Sequence, residues 1–347
     1  MLTASAPGKL VALGEYAVLE SAPALVFAIN RRACVTLEAD NTVRYAVSMG
    51  RNKINCSAFS ISPTNEITWQ DARDENRYTL LNHIWQALRD QHLLNLSACP
   101  GMQLNLDTDA FSDDVSGQPA KYGLGSSAAL STALAIALAG RQPETVEIDT
   151  WLSFIHTAHS AFQGGKGSGL DVAASLLGGA IEFRNSSGTP KAKSLRGPVG
   201  LSLGAVWTGI SVPTSQMLAQ LEEWKATDET RYFDQMAVLT KTAEAALTAF
   251  SSQQTEKFLQ NFETYGNQLR ILGEYSGLDI FSQEHEAISR CAKSCNVTYK
   301  TCGAGGGDIG IALCDNHECM QEFAKEVTAA GFRFLDLEIE KQGVALQ

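Results

Sequence analysis

Positive charge is scarce in this chain of 347 residues. Lysine and arginine together number 27 against 38 aspartates and glutamates, so the formal net charge is -11 at pH 7. The sequence contains no run of basic residues, and a surface of this kind repels the phosphate backbone of nucleic acids. We therefore expect no nucleic-acid partner, and an anionic small molecule would need a local cluster of cations and backbone N–H groups.

Long apolar runs are missing as well. The most apolar stretch, AALSTALAIALAG at residues 128–140, is shorter than a bilayer-spanning helix requires. The opening residues MLTASAPGKLVALG lack the charged and apolar regions of a secretory signal peptide. These absences predict a cytoplasmic protein with no membrane partner, whose eight cysteines stay reduced.

The spacings that bind transition metals are also absent. Cys291 and Cys295, like Cys314 and Cys319, lack the spacing of zinc-ribbon ligands. The six histidines include no HExxH pattern. We expect no metal site built from histidine or cysteine.

Two common nucleotide-binding patterns are missing or incomplete. The Walker A pattern G-x-x-x-x-G-K-[ST] occurs nowhere in the chain. GLGSSA at residues 123–128 matches the loose G-x-G-x-x-A form of the dinucleotide-binding fingerprint, which normally follows a strand. Here the preceding residues FSDDVSGQPAKY are polar and are expected to form turns, so a Rossmann-type dehydrogenase is not favoured.

Alternating and helical patterns divide the chain into two α+β halves. Short alternating runs predict strands at RACVTLEA, TVRYAVSM, INCSAFSI and GMQLNLDTD. Apolar residues at helical spacing predict helical stretches over 77–93, 150–162, 168–177, 214–272, 282–294 and 317–330. The turn-rich segment NSSGTPKAKSLRGP at residues 185–198 is a candidate boundary, so we expect domains at residues 1–190 and 191–347.

GLGSSA directly precedes a long alanine-rich helix, and this arrangement suits a phosphate-binding loop. N–H groups at the start of a helix are unpaired and carry the positive end of its dipole. Glycines let a phosphate approach the backbone closely, and serine hydroxyls can donate hydrogen bonds or bind Mg²⁺. The candidate phosphate-binding residues are Gly123, Leu124, Gly125, Ser126, Ser127 and Ala128. A serine that only caps a buried helix is the structural alternative.

Three further segments carry candidate site residues. In APGKLVALGEYAVLE, Lys9 follows a Pro-Gly turn, and in HSAFQGGKGSGLDVAASLLGG, Asp171 lies near the start of an apolar helix. In CGAGGGDIGIALC, five glycines lie between residues 303 and 310, more than a hairpin turn needs. Each segment also has a structural explanation: a solvated lysine, an acidic residue that stabilises the helix dipole, and a flexible hairpin.

Taken in order, these segments resemble the three motifs of the GHMP kinase superfamily. PGKLVALGEYAVL resembles the first motif, GLGSSAALSTALA the second and GAGGGDIGIAL the third, so the similarity extends from residue 7 to residue 313. The resemblance implies an α+β, two-domain GHMP kinase fold, with an N-terminal domain like ribosomal protein S5 domain 2 and a C-terminal ferredoxin-like α/β domain. It also implies ATP and Mg²⁺ as cofactors.

Within the superfamily, the details look most like the phosphomevalonate kinases. The features concerned are KYGLGSS, QGGKGSGLDVAAS and the aspartate that closes GAGGGD, and Tyr16 stands where mevalonate kinases typically have a histidine. The implied reaction is the ATP-dependent phosphorylation of 5-phosphomevalonate, a small anionic substrate, to 5-diphosphomevalonate, by a monomer or homodimer. A mevalonate kinase, another small-metabolite kinase of the superfamily and a ligand sensor without catalysis remain alternatives.

The resemblance also implies roles for particular residues. Lys9 would lie between the γ-phosphate and the acceptor oxygen, Asp171 would face the acceptor, and Ser127 would bind Mg²⁺. Lys121 would hold the acceptor's own phosphate. Further substrate-side candidates are Tyr16, Ser168, Arg184, Ser211, Thr214, Gly303, Ala304, Gly305 and Gly306.

One departure from the mevalonate kinases concerns the metal. Those enzymes carry a glutamate before the aspartate as a second Mg²⁺ ligand, whereas this chain has His159, Ser160 and Gln163 in that neighbourhood. Phosphates and water would then supply the remaining ligands. Because an acceptor phosphate is already mostly dianionic at neutral pH, we expect Asp171 to orient Lys9 and the acceptor rather than to remove a proton.

Overall fold

The chain folds around two β-sheets with helices packed against them. The computed structural model describes residues 1–40, 45–50, 54–95, 101–115, 118–165, 167–186 and 188–347. Within these residues, a large sheet has nine strands, a second sheet has four, and a further two strands pair only with each other. This combination confirms the expected α+β class.

The strands are numbered in chain order. The large sheet contains β1 (Leu2–Leu13), β2 (Ala24–Asp40), β3 (Tyr45–Met49), β4 (Ile54–Ile61), β5 (Ile67–Trp69), β6 (Gly101–Asp107), β9 (Ala180–Ser186), β10 (Thr189–Leu195) and β15 (Ala345–Leu346). The second sheet contains β11 (Ser202–Trp207), β12 (Thr298–Thr301), β13 (Ile309–Cys314) and β14 (Arg333–Leu335), and the separate pair is β7 (Ser112–Val115) with β8 (Gln118–Lys121).

Both sheets are almost entirely antiparallel. The large sheet has the order β10-β9-β2-β6-β3-β4-β5, and β1 pairs with β2 and with β15. Its one parallel pairing within the described residues joins β3 and β6. The second sheet has the order β12-β13-β11-β14 and is antiparallel throughout. A Rossmann fold, which needs a parallel sheet, is therefore excluded by topology.

The predicted strands can be compared with this sheet. RACVTLEA falls within β2, INCSAFSI forms β4, and GMQLNLDTD contains β6. TVRYAVSM contains β3, while its residues 42–44 lie outside the described residues. The expectation that FSDDVSGQPAKY forms turns was wrong, because β7 and β8 lie within it. These strands pair only with each other, so their sequence has no apolar alternation to reveal them.

The helices are also numbered in chain order. They are α1 (Ala72–Arg77), α2 (Thr79–Asp90), α3 (Ser126–Ala139), α4 (Ile148–Phe162), α5 (Leu170–Leu177), α6 (Thr214–Thr227), α7 (Glu229–Ser251), α8 (Thr255–Ser276), α9 (Gln283–Ser294) and α10 (His317–Ala329). Short 3₁₀ helices cover Ala17–Glu20, Asp109–Phe111 and Pro143–Thr145. In the described ranges, every helix is too short or too polar to cross a membrane.

Helix α3 is the centre of the first half. All of its residues from Ala128 to Ala139 are buried, and it packs against β1, β2, α2 and α5. The many alanines let the helix lie close to the sheet, since small side chains need little space. Only the first turn of α3, at Ser126 and Ser127, is partly exposed, so the fold presents this helix end to solvent.

The two-domain boundary expected after residue 190 stays a prediction. Strand β10 extends across residues 190 and 191 and pairs with β9. Strand β15 returns from the end of the second half and pairs with β1, with Ala4 opposite Leu346. A division between the two sheets would therefore fall after Leu195, and residues from the second half complete the first sheet.

Candidate active site

A cavity of about 630 Å³ lies where the three glycine-containing segments meet. It is bordered by β1, the first turn of α3, the start of α5, the start of α6 and the loop that follows β12. Its described lining residues include Lys9, Glu15, Tyr16, Gly123, Gly125, Ser126, Ser127, Gln163, Ser168, Asp171, Thr214, Ser215, Gly303 and Ala304. Most of the residues predicted from the sequence are thus brought together in one place.

The loop before α3 needs glycine for two reasons. Gly123 and Gly125 have φ values of 72° and 80°, in the left-handed region where other residues are strained. A Cβ on Gly125 would lie 3.0 Å from Cγ of Lys9, so the loop and β1 are in close contact. The N–H of Lys9 donates to the carbonyl of Leu124 at 2.9 Å, and Lys9 Nζ lies 3.5 Å from the Gly123 carbonyl oxygen.

The serines of this loop do not cap the helix. Gly125 occupies the N-cap position of α3, and no side chain makes a cap hydrogen bond there. The structural alternative of a serine cap is therefore wrong. Instead, Ser127 Oγ lies 3.0 Å from Nε2 of His159, and Ser127 faces the cavity. The first N–H groups of α3 remain available to an anion.

Asp171 lies in the first turn of α5. This helix begins directly after Gly169, whose φ is 87°. It is half-buried and lines the cavity. Ser175 on the same helix donates a hydrogen bond to the carbonyl of Pro7 at 2.8 Å, which fixes α5 against β1 near Lys9. Burial lowers the pKa of the neighbouring His156, while the Asp171 charge opposes that shift.

The loop after β12 contributes two residues to the cavity and two to packing. Gly303 and Ala304 line the cavity. Gly305 and Gly306 lie behind them, where a Cβ on Gly305 would be 2.5 Å from the carbonyl oxygen of Ile280 and the Gly306 N–H donates to that oxygen at 2.9 Å. These two glycines therefore shape the loop and are not among the described residues that line the cavity.

A buried histidine holds the same loop from behind. His285 Nε2 lies 3.0 Å from the carbonyl oxygen of Gly307, and His285 Nδ1 lies 2.7 Å from the hydroxyl of Tyr299. Burial lowers the pKa of His285 to about 4, so the ring is neutral at pH 7. Because a carbonyl can only accept, Nε2 carries the proton and Nδ1 accepts from Tyr299.

Two further contacts join the first motif to this loop. The hydroxyl of Tyr16, whose φ is 62°, donates to the carbonyl of Ala304. Glu15 forms an ion pair with Lys300, and the two side chains are 2% and 0% exposed. Burial raises the pKa of Glu15, and the Lys300 charge opposes that shift. The sequence alone did not predict this pair, although the single lysine within the strand segment NVTYKT was a usable signal.

Several other predicted residues also lie outside the described cavity lining, and of these Leu124 and Ala128 are buried. Lys121 is exposed on β8 and is not among the described residues that line the cavity. Arg184 points to Glu182 at 3.0 Å and to Glu244 at 3.9 Å, on the outer face of β9. Ser211 is exposed and forms a hydrogen bond with Asp308. Burial raises the pKa of Asp308, and this hydrogen bond lowers it.

Asp308, the aspartate that closes GAGGGD, lies at the site although the sequence predicted no role for it. A Cβ on Gly123 would lie 3.3 Å from Cβ of Asp308, so this carboxylate borders the loop before α3. The charge of Lys9 acts on it and lowers its pKa, against the larger effect of burial. Asp308 has a φ of 52°, which marks a strained backbone at this point.

A second cavity of about 520 Å³ continues from the first. The two share Val18, Leu19, Gly167, Ser168 and Leu218 as lining residues. The second is also lined by Asn185, whose Nδ2 donates to the carbonyl of Ser168 at 3.0 Å. On β9, Asn185 and not the predicted Arg184 is therefore the residue that lines this second cavity.

Comparisons with known proteins identify similar sequences among the GHMP kinases. Residues 80–179 match the sequence profile of the GHMP kinases N terminal domain. A phosphomevalonate kinase of Streptomyces sp. (strain CL190) is 28% identical over 343 residues, covering 89% of each chain. A mevalonate kinase of Thermococcus gammatolerans is 25% identical over 349 residues, covering 99% of this chain and 98% of the relative.

Solved structures share the whole fold. A protein from Listeria innocua has a TM-score of 0.85 at 23% identity and covers 100% of this chain. Streptococcus pneumoniae phosphomevalonate kinase, in complex with phosphomevalonate and AMPPNP, has a TM-score of 0.74 at 18% identity, with 97% of this chain and 99% of that chain covered. L. major mevalonate kinase in complex with R-mevalonate has a TM-score of 0.71 at 18% identity. The expected two-domain fold is confirmed by these likenesses.

Proposed function

We propose that this chain, whose resemblance to the GHMP kinase superfamily is confirmed, transfers the γ-phosphate of ATP to 5-phosphomevalonate and releases ADP and 5-diphosphomevalonate. The observation that carries the proposal is that Lys9, Ser127 and Asp171 line one cavity. Tyr16 supports a phosphomevalonate kinase over a mevalonate kinase, because the latter typically has a histidine at this position. The relatives named above include both activities.

The triphosphate is assigned to the start of α3. Gly123 and Gly125 bring the backbone to the cavity on either side of the buried Leu124, and the first N–H groups of α3, at Ser126, Ser127 and Ala128, add the positive end of the helix dipole. Donors fixed in this way stabilise the charge that develops during phosphoryl transfer. A bound triphosphate would thus be held mainly by backbone atoms in a protein of negative net charge.

Ser127 is the residue that would hold Mg²⁺. Its hydroxyl is a hard oxygen ligand that faces the cavity, which fits the preference of Mg²⁺. In the part of the chain that the structure describes, no group of three or more His, Cys, Asp or Glu residues could hold a metal ion. Phosphate oxygens and water would therefore complete the coordination, and the ion would neutralise phosphate charge.

Lys9 and Asp171 are assigned to the transfer itself. Lys9 is the only cation among the described residues that line the two cavities, so it supplies the positive charge between donor and acceptor. The acceptor phosphate, with a second pKa of about 6, needs no general base at neutral pH. Asp171 therefore orients Lys9 and the acceptor and removes no proton.

The acceptor is assigned to the side of the cavity formed by α5 and α6. Ser168, Thr214 and Ser215 supply hydroxyl groups there, and Thr214 is the first residue of α6, where N–H groups are unpaired. Since Lys121 and Arg184 are not among the described residues that line the two cavities, these neutral donors replace the cations expected from the sequence. The acceptor's own phosphate would be bound chiefly by hydrogen bonds.

The decisive experiment measures ADP release with a panel of acceptors: mevalonate, 5-phosphomevalonate, homoserine and galactose. We expect turnover with 5-phosphomevalonate to exceed that with every other acceptor. A higher kcat/KM for mevalonate would instead identify a mevalonate kinase. Binding of ATP without turnover of any acceptor would indicate a sensor that keeps the fold.

A further inference from the structure

His159 lies directly behind the predicted metal ligand. It belongs to the last turn of α4, is 2% exposed and packs against the ring of Phe162, with the ring centroids 6.4 Å apart. Its Nε2 lies 3.0 Å from Oγ of Ser127 on α3. His159 is not among the described residues that line the cavity. Any effect of this ring on a bound ligand must therefore pass through Ser127.

The direction of this hydrogen bond decides what Ser127 can do. A serine hydroxyl has one proton and two lone pairs. When His159 Nε2 accepts the proton, both lone pairs of Ser127 Oγ are left for a cation in the cavity. When Nε2 donates instead, the hydroxyl proton is free to point at a phosphate oxygen, and the oxygen is a poorer metal ligand.

We propose that His159 is a positioning residue, which accepts the hydroxyl proton of Ser127 and so fixes Ser127 Oγ as a ligand for the divalent cation of the metal–nucleotide complex. The inference rests on the proposed function, because it requires a metal–nucleotide complex in this cavity. A single neutral hydroxyl is a weak ligand, so its orientation matters more than that of a carboxylate. Residues that orient a metal ligand typically change metal affinity about 10-fold to 100-fold.

The test measures Mn²⁺ affinity by electron paramagnetic resonance, in the complex with a non-hydrolysable ATP analogue. We expect His159→Leu and Ser127→Ala each to weaken Mn²⁺ binding roughly 10-fold, with metal-free affinity for the analogue, measured in EDTA, unchanged in His159→Leu. His159→Gln should keep most of the Mn²⁺ affinity, because its amide oxygen can accept the same proton. Phe162→Leu, a control for packing of α4, should behave as the unmodified protein does.

The double variant Ser127→Ala/His159→Leu separates positioning from general damage. If His159 acts through Ser127, the double variant binds Mn²⁺ no more weakly than Ser127→Ala alone. In His159→Asn the side-chain amide is too short to reach Ser127, so we expect the same loss of Mn²⁺ affinity as in His159→Leu. The change in packing is smaller in His159→Asn. It keeps the test valid if His159→Leu does not fold.

Three results would overturn the proposal. The first is full Mn²⁺ affinity in His159→Asn, and the second is additive losses of Mn²⁺ affinity in the double variant. The third is a loss of metal-free analogue binding in His159→Leu that equals its loss of Mn²⁺ binding. The last result would mean that Ser127 donates to phosphate. Failure of the proposed function is a separate outcome. Preference for another acceptor overturns that function and leaves the role of His159 intact, whereas an unmodified protein that binds no analogue overturns both.

Discussion

Lys9 and Asp171 face one cavity from different elements, β1 and α5. The other acidic residue that lines this cavity, Glu15, is already paired with Lys300. Asp171 is therefore the unpaired acid of the described cavity lining, while Asp308, outside that lining, also interacts with the Lys9 charge. At this scale the proposed reaction depends on the balance between the Lys9 cation and the Asp171 carboxylate next to two anionic ligands.

Removal of the Lys9 cation should lower kcat at least as much as removal of the Asp171 carboxylate. We expect Lys9→Met to lower kcat roughly 10²-fold to 10³-fold, since it removes charge stabilisation from the transition state. Asp171→Asn should lower kcat by no more than this. Steady-state kinetics with saturating ATP measure both, and Lys121→Met is the control that should change kcat little. A far steeper loss in Asp171→Asn would assign proton removal to Asp171.

A substitution at Gly125 tests the close contact between the loop before α3 and β1. Gly125→Ala forces a Cβ into a left-handed backbone and to within 3.0 Å of Cγ of Lys9. We expect a loss of about 1–2 kcal/mol in the free energy of unfolding and weaker ATP-analogue binding, measured by thermal unfolding and calorimetry. Gly200→Ala is the matched control, with a φ of 84° and no atom near the added Cβ. Equal losses in both variants would show that the contact with Lys9 is unimportant.

At the scale of elements, the loop after β12 is held by groups that lie outside the glycine motif. His285 on α9 bonds the Gly307 carbonyl, and Tyr16 bonds the Ala304 carbonyl. The loop is therefore held by hydrogen bonds on both sides, at Gly307 and at Ala304. Its shape depends on a histidine that must stay neutral.

This dependence predicts a loss of stability in acid. The pKa of His285 is lowered to about 4 by burial, whereas an unfolded histidine has a pKa near 6.5. As the pH falls from about 6.5 to about 4, the unfolded chain takes up a proton that the native ring does not, so the free energy of unfolding falls by up to about 3 kcal/mol.

Urea denaturation at several pH values would measure this loss, with His285→Gln as the comparison. The glutamine can still donate to the Gly307 carbonyl but does not titrate, so its stability should depend less on pH across this range. If the free energy of unfolding depended on pH equally in both proteins, another group would be responsible for the acid sensitivity.

At the scale of the whole molecule, one buried ion pair joins the two halves. Glu15 follows β1 of the large sheet, and Lys300 lies on β12 of the second sheet. Tyr265 on α8 adds a hydrogen bond to the Glu15 carbonyl at 2.8 Å. The cavity lies next to this junction, so the relative position of the sheets sets the distance between the first and third motifs.

Breaking this pair on one side should strongly destabilise the protein. We expect Lys300→Met to cost about 3–5 kcal/mol in the free energy of unfolding, because it leaves the Glu15 carboxylate buried and unpaired. Lys225→Met, which breaks the partly exposed pair with Glu20 at 2.6 Å, should cost about 1 kcal/mol or less. Chemical denaturation measures both, and Glu15→Leu/Lys300→Met should recover part of the loss. Similar costs for the two single variants would contradict this account.

The sequence was informative where function depends on a local string. Gly123 and Gly125, Lys9 and Asp171 each stand in a segment whose pattern is recognisable without the fold, and the structure brings these segments together. The missed features are pairs: Glu15 with Lys300, Ser127 with His159, and Gly123 with Asp308. Each pair joins distant parts of the chain, and only the tertiary fold decides that they meet.

The return of β15 to β1 gives the site an indirect support. Ala345 and Leu346 cover the edge of the strand that also carries Lys9. Loss of the pairing made by residues 345–347 would expose unpaired backbone groups at one end of that strand and loosen it from behind. Activity could thus be lost through damage to a segment that touches no ligand.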